Sequence, residues 1–486
     1  MTRNVQPLAP HRRARRTDQP HSALGVHPSR RPLPNVAIHS LVVGLILCGS
    51  IACSTTRPAF STRCNPYERN NRVYAPLNNE LLVALGQNML KIRDRGGPDN
   101  RMFFGNWRLG RQRFQREITA VAFVEGHTLI GFEDGRLLKV RGTGGTGENM
   151  FAIHRTDNGF RTVEGYDYYV GSHQFNSGVM GIYPADAYTF ISFRNGKLLK
   201  VRGSGGSGAN LFAIHETRFN FSGLSGYNYY VGDQRFRSAV VDVSHGQGVT
   251  LISLRDGRIL KVRGFGGSGH NMFAVDENRN HFTGISGYDY YQGDQKFEQC
   301  ASAVSILGDE TLIGFWDGRI LKVRGTGGTG RRMFNVREAS YGFENHSESS
   351  AGYLIGSQHL SRKITTIQQA GDELLVALQR RGTLKISGTG GTGGNMFNIE
   401  WSGGEYRQAS SNYPQYLLGQ DRQRGYIRGI TPVAGFTFFV NRYSEVLKVS
   451  GTGGEGTQML GAQELWCDAT FSAVVGCYCG EDLCAF

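Results

Sequence analysis

The chain has 486 residues, of which 39% are hydrophobic and 11% aromatic, and this composition suffices for a packed core. Its formal net charge is +14, but residues 1–40 hold seven Arg and one Asp and therefore supply +6 of it. The remaining +8 is spread over about 440 residues. Nucleic-acid binding usually needs a concentrated basic patch, so we expect no nucleic-acid partner.

The chain begins with the features of an export signal. An Arg-rich stretch through Arg31 precedes an apolar run at residues 41–53, which suits a signal-peptide core and is short for a membrane span. The segment Ser50-Ile51-Ala52 provides small residues that suit cleavage of the signal before Cys53. The same bond resembles a bacterial lipoprotein site with Cys53 as the lipid-bearing residue, although Ser50 departs from the aliphatic residue expected there. A twin-arginine signal at 29–33, an uncleaved anchor and an upstream start-codon error remain alternatives.

We divide the chain into a leader (1–53), a linker (54–71) and a repeat region (72–486). The repeat region is filled by one unit that recurs seven times. Four clear copies follow one another at intervals of 61 residues, beginning at Asp134, Asn195, Asp256 and Asp317. Weaker copies surround Lys91, Lys385 and Lys448. A residue present in every copy is better explained by a role in holding the unit together than by chemistry performed once.

Each unit predicts four short strands, at 118–124, 128–132 and 136–141, with a fourth starting at 149–154. Glu125-Gly126 predicts a turn. Asp134-Gly135 predicts a type I′ hairpin, in which both central residues need positive φ. No segment of the repeats carries a helical apolar period. The sequence therefore predicts an all-β fold, a seven-bladed β-propeller of four-stranded antiparallel blades, because each blade needs neighbours to cover its two apolar faces.

The two ends of the chain predict how the ring closes. Residues 471–475 resemble 236–241, which open an internal unit, and residues 73–77 compete for the same place in the first blade. In an exported chain the clustered cysteines predict disulfides that staple this closure. They are Cys64, Cys467, Cys477, Cys479 and Cys484. Zinc binding is the rival interpretation, but the paired C-x2-C spacing is missing, so we expect no metal and no cofactor.

The Gly-rich loop at residues 142–147 superficially resembles a phosphate-binding loop. It leads into a predicted strand instead of a helix and no Lys-Ser/Thr follows, so a structural turn is preferred over a backbone-lined pocket used once per blade. An Asn beyond this loop either contacts ligand hydroxyls or caps the turn. The candidate ligand-binding positions of this type are Asn149, Asn210, Asn271 and Asn395.

The predicted third strand carries two cations on one face. Such a ladder would suit a sulfated or phosphorylated polymer, whereas the alternative is a set of snorkelling side chains paired with acids such as Asp134 or Glu133. In the last two units Ser387 and Ser450 replace the Arg. The candidate pairs are Lys139/Arg141, Lys200/Arg202, Lys261/Arg263 and Lys322/Arg324.

An aromatic block, Gly-Tyr-Asp-Tyr-Tyr-Val-Gly, occupies residues 165–171, with near copies at 226–232 and 287–293. A tyrosine offers an apolar ring for a sugar face and a hydroxyl for its oxygens, although it packs equally well between blades. We expect ligand contact at the variable positions Tyr166, Tyr227 and Tyr288. We expect a core role at the retained position, which we assign to Tyr169.

In layout, the repeat region resembles propeller lectins of the tachylectin-2 kind, with near-identical blades, Gly-rich turns and repeated aromatics. The Trp-rich blade motif of that family is absent, since the chain has four Trp in all, and the Trp-Asp signature of WD40 blades is absent too. No family binding residue is therefore carried over. The resemblance implies a multivalent carbohydrate-binding protein, in which similar weak sites gain avidity.

Three functions remain open. The first is an exported non-catalytic lectin-like protein, secreted or at the cell surface, or a periplasmic or outer-membrane lipoprotein in a bacterium. Its partners would be glycans or other surface polymers, anionic ones included, and a lipid anchor would be its membrane contact. The second is a protein-interaction scaffold that uses one propeller face. The third is an enzyme with a single central site, but no catalytic motif is present in the sequence and no catalytic residue is assigned.

Overall fold

Seven antiparallel sheets form the blades of a propeller in the computed structural model, as the repeat predicted. All described residues lie in one compact unit, residues 60–486. The structure describes residues 72–74, 80–97, 105–157, 159–346, 352–379, 382–412, 414–422, 427–433, 435–441, 443, 445–460, 465–468, 477–479 and 482–483. The predicted leader and linker, with Cys53 and Cys64, and also Cys484 lie outside these residues.

Each blade has four strands, which follow one another in chain order from the inner edge of the blade to its outer edge. Blade 1 has Arg72–Tyr74, Glu80–Leu85, Asn88–Arg93 and Arg108–Arg113. Blade 2 has Ile118–Val124, His127–Phe132, Arg136–Arg141 and Tyr169–Gln174. Blade 3 has Val179–Ala185, Tyr188–Phe193, Lys197–Arg202 and Tyr230–Arg235. Blade 4 has Val240–Gly246, Val249–Leu254, Arg258–Arg263 and Tyr291–Lys296.

Blades 5 to 7 follow the same order. Blade 5 has Ala301–Leu307, Glu310–Phe315, Arg319–Arg324 and Leu354–His359. Blade 6 has Ile364–Ala370, Glu373–Leu378, Gly382–Ser387 and Leu417–Asp421. Blade 7 has Ile427–Val433, Phe436–Asn441, Glu445–Ser450 and Leu465–Asp468, and its sheet continues outward through Cys477–Cys479 and Asp482–Leu483.

The connection between the third and outer strands of blades 2 to 6 carries an additional small hairpin. These hairpins are Ile153–Thr156 with Gly159–Thr162, Ile214–Glu216 with Phe221–Gly223, Val275–Glu277 with Phe282–Gly284, Val336–Ala339 with Gly342–Asn345, and Ile399–Ser402 with Glu405–Gln408. Short parallel strands also occur at Gly147–Glu148, Gly269–His270 and Gly330–Arg331. In blade 1 the described part of this connection contains a 3-10 turn, Gly105–Trp107.

The hydrophobic core lies between the blades. Successive side chains of a strand point to opposite faces, so Leu129 packs in the cluster between blades 2 and 3, while Ile130 packs between blades 1 and 2. Each buried Leu or Ile of this kind contributes roughly 1.5–3 kcal/mol to folding. Among the described residues seven such clusters are found, one at each junction between blades.

The junction between blade 7 and blade 1 closes the ring. Val83 and Ile92 of blade 1 pack there with Phe438 and Val440 of blade 7. The inner strand of blade 1 is Arg72–Tyr74, which pairs with the second strand of the same blade. The N-terminal candidate therefore occupies the inner place. The competing segment 471–475 and the predicted stapling disulfides are not among the described features.

Two local predictions need correction. The type I′ turn lies at Glu125-Gly126, where both residues have positive φ (48° and 75°). At Asp134-Gly135 only the glycine has positive φ (90°), and its N–H bonds the carbonyl of Phe132 at 3.1 Å. This is a type I turn followed by a left-handed glycine, because the hairpin loop is one residue longer than a I′ turn allows.

The predicted fourth strand was also misplaced. Residues 149–152 form a turn, and Ile153–Thr156 pairs only with its own hairpin partner. The outer strand is Tyr169–Gln174, which begins in the aromatic block and pairs with the third strand. The Gly-rich loop is therefore followed by an insertion that lies outside the four-stranded sheet.

Candidate functional site

The Gly-rich loops join each blade to the one before it. A glycine of the loop pairs in parallel with a glycine on the outer strand of the preceding blade, and Ser172 N–H donates to Gly208 O at 2.8 Å. A Cβ on Gly232 would lie 2.9 Å from Gly269 O, so the two backbones approach too closely for a side chain. The glycine pairs are 110/147, 171/208, 232/269, 293/330, 356/393 and 419/456.

The third-strand lysines bind the carbonyl oxygens of these loops. Lys261 Nζ donates to Thr326 O, Gly327 O and Gly328 O of the next blade at 3.2, 2.8 and 2.9 Å. An ammonium has three N–H donors, so three carbonyls match its charged form. The equivalent lysines are Lys91, Lys139, Lys200, Lys322, Lys385 and Lys448.

Lys448 completes the circle. Its Nζ lies 3.1, 3.3 and 2.7 Å from the carbonyl oxygens of Arg95, Gly96 and Gly97, so blade 7 binds the loop of blade 1 as every other blade binds its successor. The same contact therefore repeats seven times around the ring. It explains why this lysine is present in every copy of the unit.

Burial perturbs these lysines. It lowers the pKa of Lys139, Lys200 and Lys261 to about 8. Burial also lowers the pKa of Lys322, but Glu310 at 3.5 Å opposes the shift. Lys139, Lys200, Lys261 and Lys322 are at most 4% exposed. The contacts of these four lysines in the structure are hydrogen bonds that hold neighbouring blades together. Ligand binding by the four lysines stays a prediction.

The arginines that share the third strand are exposed and fall into two groups. Arg141 and Arg263 form ion pairs with Asp167 and Asp289 of the aromatic block. Arg202 and Arg324 make no ion pair within the described part of the chain. The predicted acid partners Asp134 and Glu133 are not those of Arg141, and Asp134 instead pairs with Arg136.

The predicted Asn positions hold a turn. Ile153 N–H donates to Asn149 Oδ1, and Asn149 Nδ2 donates to Ile153 O, both at 3.2 Å. Asn210 and Asn271 make the same two bonds, and Asn395 makes the first. Asn149 and Asn271 also have positive φ, 54° and 53°, which Asn tolerates better than most residues. Capping accounts for these contacts, and ligand contact at the Asn positions stays a prediction.

The variable tyrosines are exposed to solvent. Tyr166 is 56% exposed, and Tyr227 and Tyr288 are each 62% exposed. Each ends a β-turn whose third residue is a left-handed glycine, as in Gly165 with φ of 83°. Each ring lies over the tyrosine two residues later, with ring centroids 6.1, 6.1 and 6.2 Å apart. We call these three units the tyrosine pairs; they are Tyr166/Tyr168, Tyr227/Tyr229 and Tyr288/Tyr290.

The inner member of each pair is the retained tyrosine, which corrects our assignment of that role to Tyr169. The ring of Tyr168 packs on Gly145 so closely that a Cβ there would lie 2.6 Å from it. Tyr353 of blade 5 and Tyr416 of blade 6 cover the equivalent glycines. Tyr169 instead bonds Ser172 through its hydroxyl at 3.0 Å. The tyrosine pairs therefore rest on the Gly-rich loops that join the blades.

Sequence reasoning missed the cations at the junction of blades 4 and 5, where Lys296, Arg331 and Arg332 line a cavity. The signal for Arg331 and Arg332 is a departure from the repeat, because the equivalent positions of the other clear copies carry no Lys or Arg. Lys296 gives no such signal, since Arg113 and Arg235 occupy its position in blades 1 and 3. Within the described ranges, no group of three or more His, Cys, Asp or Glu side chains is arranged to hold a metal. No helix in that part of the chain has the length and apolar character to cross a membrane.

No protein-family model matches the chain, and no curated protein matches its sequence. Solved structures match its architecture at low identity. The computationally designed Ika8 protein is 9% identical, with 83% of this chain and 88% of that chain covered and a TM-score of 0.44. BamB from Moraxella catarrhalis is 11% identical, with 80% and 97% covered and a TM-score of 0.41. The β-propeller domain of Cps50 (Swd1) from Myceliophteria thermophila is 8% identical, with 79% and 97% covered and a TM-score of 0.44.

Proposed function

We propose that the protein is an exported, non-catalytic binding protein whose tyrosine pairs bind carbohydrate at three equivalent sites. The observation that carries the proposal is the threefold repetition of one exposed aromatic surface in blades 2, 3 and 4. The outer rings are 56–62% exposed and have the same spacing to their partners. A large exposed aromatic surface that recurs on a rigid scaffold suits recognition better than packing.

The chemistry of each pair fits a sugar. A tyrosine ring offers an apolar surface to the C–H groups of a pyranose, and its hydroxyl exchanges hydrogen bonds with the ring substituents. In blades 2 and 4 an exposed Arg–Asp ion pair lies next to the tyrosines and supplies further donors and acceptors. Each site alone would be weak. Three sites on one ring gain avidity for a polymer that carries many copies of the sugar.

Within the part of the chain that the structure describes, the tyrosine pairs lie in three blades. In blade 6 the position two residues before the retained Tyr416 is Pro414, and in blade 5 it is Ala351. Blades 5 and 6 keep the inner tyrosine and the Gly-rich loop without the exposed ring. The exposed tyrosine is therefore dispensable for the joint between blades, which supports a role in binding.

Export and disulfides belong to the same proposal. The leader has the sequence of an export signal, and the two adjacent antiparallel strands at the end of blade 7 place Cys467 and Cys477 in register with each other. Cysteines opposite each other on neighbouring strands are within the distance that a disulfide spans. We propose that Cys467 and Cys477 are bonded, which peptide mapping of the non-reduced secreted protein would test.

A glycan-array screen of the mature protein, followed by calorimetric titration with the best saccharide, tests the carbohydrate proposal. We expect about three equivalents of sugar per chain. Replacing Tyr166, Tyr227 and Tyr288 one at a time with Ala should remove about one equivalent each, and the triple variant should not bind. Tyr341→Ala is the matched control, because Tyr341 is 78% exposed but lies on the hairpin of blade 5.

The outcomes separate the candidate functions. A stoichiometry near three that falls with each substitution supports the proposal. Binding that the triple variant retains would contradict it. Capture of one folded protein per ring, with no saccharide bound, would favour the scaffold, since exposed tyrosines and arginines are also common at protein interfaces. Release of a cleaved sugar would favour an enzyme.

A further inference from the structure

A cavity of about 500 Å³ opens between blades 4 and 5, apart from the tyrosine pairs. Three elements form it: the outer strand of blade 4, the tip of the small hairpin of blade 4, and the Gly-rich loop of blade 5. A volume of this size lies in the range of small-molecule sites. The lining residues are Asn280, His281, Asp294, Gln295, Lys296, Arg331 and Arg332.

The rim of the cavity is cationic. Lys296, Arg331 and Arg332 are exposed, and Arg332 uses one guanidinium N–H to bond His346 Nε2. An arginine has five N–H donors, so four remain on Arg332. Lys296 Nζ makes one long contact, 3.4 Å to Arg279 O. Three cations at one opening form an electrostatic site for an anionic group.

Two residues that line the cavity have buried side-chain atoms without a hydrogen-bond partner among the described residues. Gln295 is 6% exposed and its Oε1 has no partner among the described residues, and the same holds for the partly buried His281 Nδ1. His281 Nε2 lies 2.7 Å from Asn278 Nδ2 and accepts from it, which leaves the proton on Nδ1. Buried unsatisfied groups are rare in folded proteins, and a bound ligand is one explanation.

Asp294 contributes an acceptor beside them. It is 2% exposed, and Tyr291 Oη donates to its carboxylate at 2.5 Å. Burial raises the pKa of this carboxyl, and the Tyr291 hydrogen bond and Arg331 oppose the rise. The residues that line the cavity therefore include one buried donor and two buried acceptors, which are the group types that ligand hydroxyls use, while the charged side chains are exposed.

The repeat shows that Arg331 and Arg332 are not needed for the fold. At the position of Arg332 the equivalent residues of four other units are Asn149, Asn210, Asn271 and Asn395. At the position of Arg331 the equivalents include Ala209. The position of Lys296 carries Gln174 in blade 2, whereas blades 1 and 3 carry Arg113 and Arg235 there. Arg332 also keeps the left-handed backbone of its position, with φ of 59°, where Asn is the better-suited residue. Strain retained at one copy of a repeat points to a function at that copy.

We propose that this cavity binds an anionic sugar unit, with hydroxyl groups on Gln295, His281 and Asp294 and a sulfate, phosphate or carboxylate substituent on Lys296, Arg331 and Arg332. The site deepens the proposed carbohydrate binding by adding a second class of sugar. It shares no residue with the tyrosine pairs, so each proposal fails or holds by its own titration.

Calorimetric titration with glucose 6-sulfate, glucose 6-phosphate and glucuronate tests the proposal, with glucose and inorganic sulfate as probes of the two halves of the site. We expect one equivalent of an anionic sugar per chain. Glucose and inorganic sulfate should each bind at least about 10-fold more weakly, because each makes only one kind of contact. The tightest of the three anionic probes identifies the substituent.

The decisive variant replaces the three cations of the cavity with residues found at the equivalent positions of other blades. Lys296→Gln, Arg331→Ala and Arg332→Asn together install residues that other blades carry, so the fold and the thermal midpoint should be kept. We expect this variant to lose at least about 10-fold in affinity for the anionic sugar. The control variant removes the same charge from exposed hairpin positions, through Arg155→Gln, Arg161→Gln and Arg218→Gln, and should stay within about twofold of wild type.

Three results would overturn the inference. They are the absence of saturable binding by any anionic sugar, equal affinity for inorganic sulfate and for glucose 6-sulfate, and a repeat-restoring variant that binds as wild type does. Loss of the anionic sugar with neutral-glycan binding unchanged would support it. Retention of the site in the triple Tyr166, Tyr227 and Tyr288 variant would show that it does not depend on the tyrosine pairs.

Discussion

The third strand and the connection that follows it differ in how many blades repeat their characteristic residues. The third-strand lysine occurs in all seven blades and always binds the loop of the next blade, including Lys448 to blade 1. Among the described residues, tyrosine pairs occur in blades 2, 3 and 4, and the three cations of the cavity lie at the junction of blades 4 and 5. A group that every interface needs must repeat everywhere, whereas a ligand site needs only the blades that contact the ligand.

Lys200 and Arg202 give the sharpest test of that contrast, since they lie two residues apart on one strand. Lys200→Met should lower the free energy of unfolding by about 3 kcal/mol or more, because carbonyl oxygens of the next blade lose their donor inside the protein. Arg202→Ser, which installs the residue of the last two units, should change it by less than about 0.5 kcal/mol. Urea denaturation of both variants measures the two changes in the free energy of unfolding. Equal losses of stability would contradict the distinction between the two positions.

His173 is a departure from the repeat inside the core, where blades 1, 3, 4 and 5 have Gln. Gln112, Gln234 and Gln358 accept the N–H of Phe151, Phe273 and Phe397. Burial lowers the pKa of His173 to about 4, and its Nδ1 has no partner among the described residues.

Because the unfolded chain binds this proton at higher pH than the folded chain, stability falls as the pH drops from about 6.5 toward 4. Between pH 7 and pH 5 the loss through His173 should be about 2 kcal/mol. His173→Gln should remove this part of the loss of stability at acid pH, while the losses that depend on carboxylates should remain. Thermal unfolding from pH 5 to 7 measures it, and an unchanged slope in the variant would contradict the assignment.

The two members of a tyrosine pair should behave differently. Tyr229→Ala should destabilise the protein by about 1.5 kcal/mol, because its ring covers Gly206 between two blades. Tyr227→Ala should change stability by less than about 0.5 kcal/mol, because its ring is 62% exposed. If the outer ring makes the main contact, sugar binding at blade 3 should be weakened more by Tyr227→Ala than by Tyr229→Ala. Similar stability losses for both would mean that the outer ring also belongs to the joint.

The last expected effect is a rise in stability at alkaline pH. Burial lowers the pKa of Lys139, Lys200 and Lys261 to about 8, below the 10.5 of the unfolded chain. The unfolded state therefore binds more protons between pH 8 and 10.5, and the free energy of unfolding increases with pH in that window. Urea midpoints from pH 7.5 to 9.5 would show it. The slope should be smaller in Lys261→Met, and a fall in stability over this range would contradict the shift.

The fold could be predicted because its signals are local and repeated. The 61-residue period and the alternating strands already specified seven blades. The outer strand was missed because Tyr169–Gln174 follows a hairpin insertion, and the sequence does not show which of two strand-like segments joins the sheet. The turn at Asp134-Gly135 was misassigned because the dipeptide is compatible with two loop lengths, and only the register selects one.

The candidate site was predicted in part for the same reason. Exposed tyrosines at 166, 227 and 288 and turn-capping Asn residues follow from local sequence. The lysines were placed on a ligand-binding ladder because spacing along a strand reports a shared face but not what faces it. The carbonyl oxygens that Lys139 binds belong to residues 205 and 206, which are 66 and 67 positions away.

By itself the sequence determined the repeat, the strands and the positions of glycine at the tight turns, since these depend on hydrophobic alternation and backbone sterics within a few residues. Only the tertiary structure decided which cations are buried, that Tyr168 and not Tyr169 covers the Gly-rich loop, and that three basic residues of blades 4 and 5 surround one cavity. Those properties depend on which strand and loop lie next to each other across a blade junction, and packing between distant segments sets that proximity.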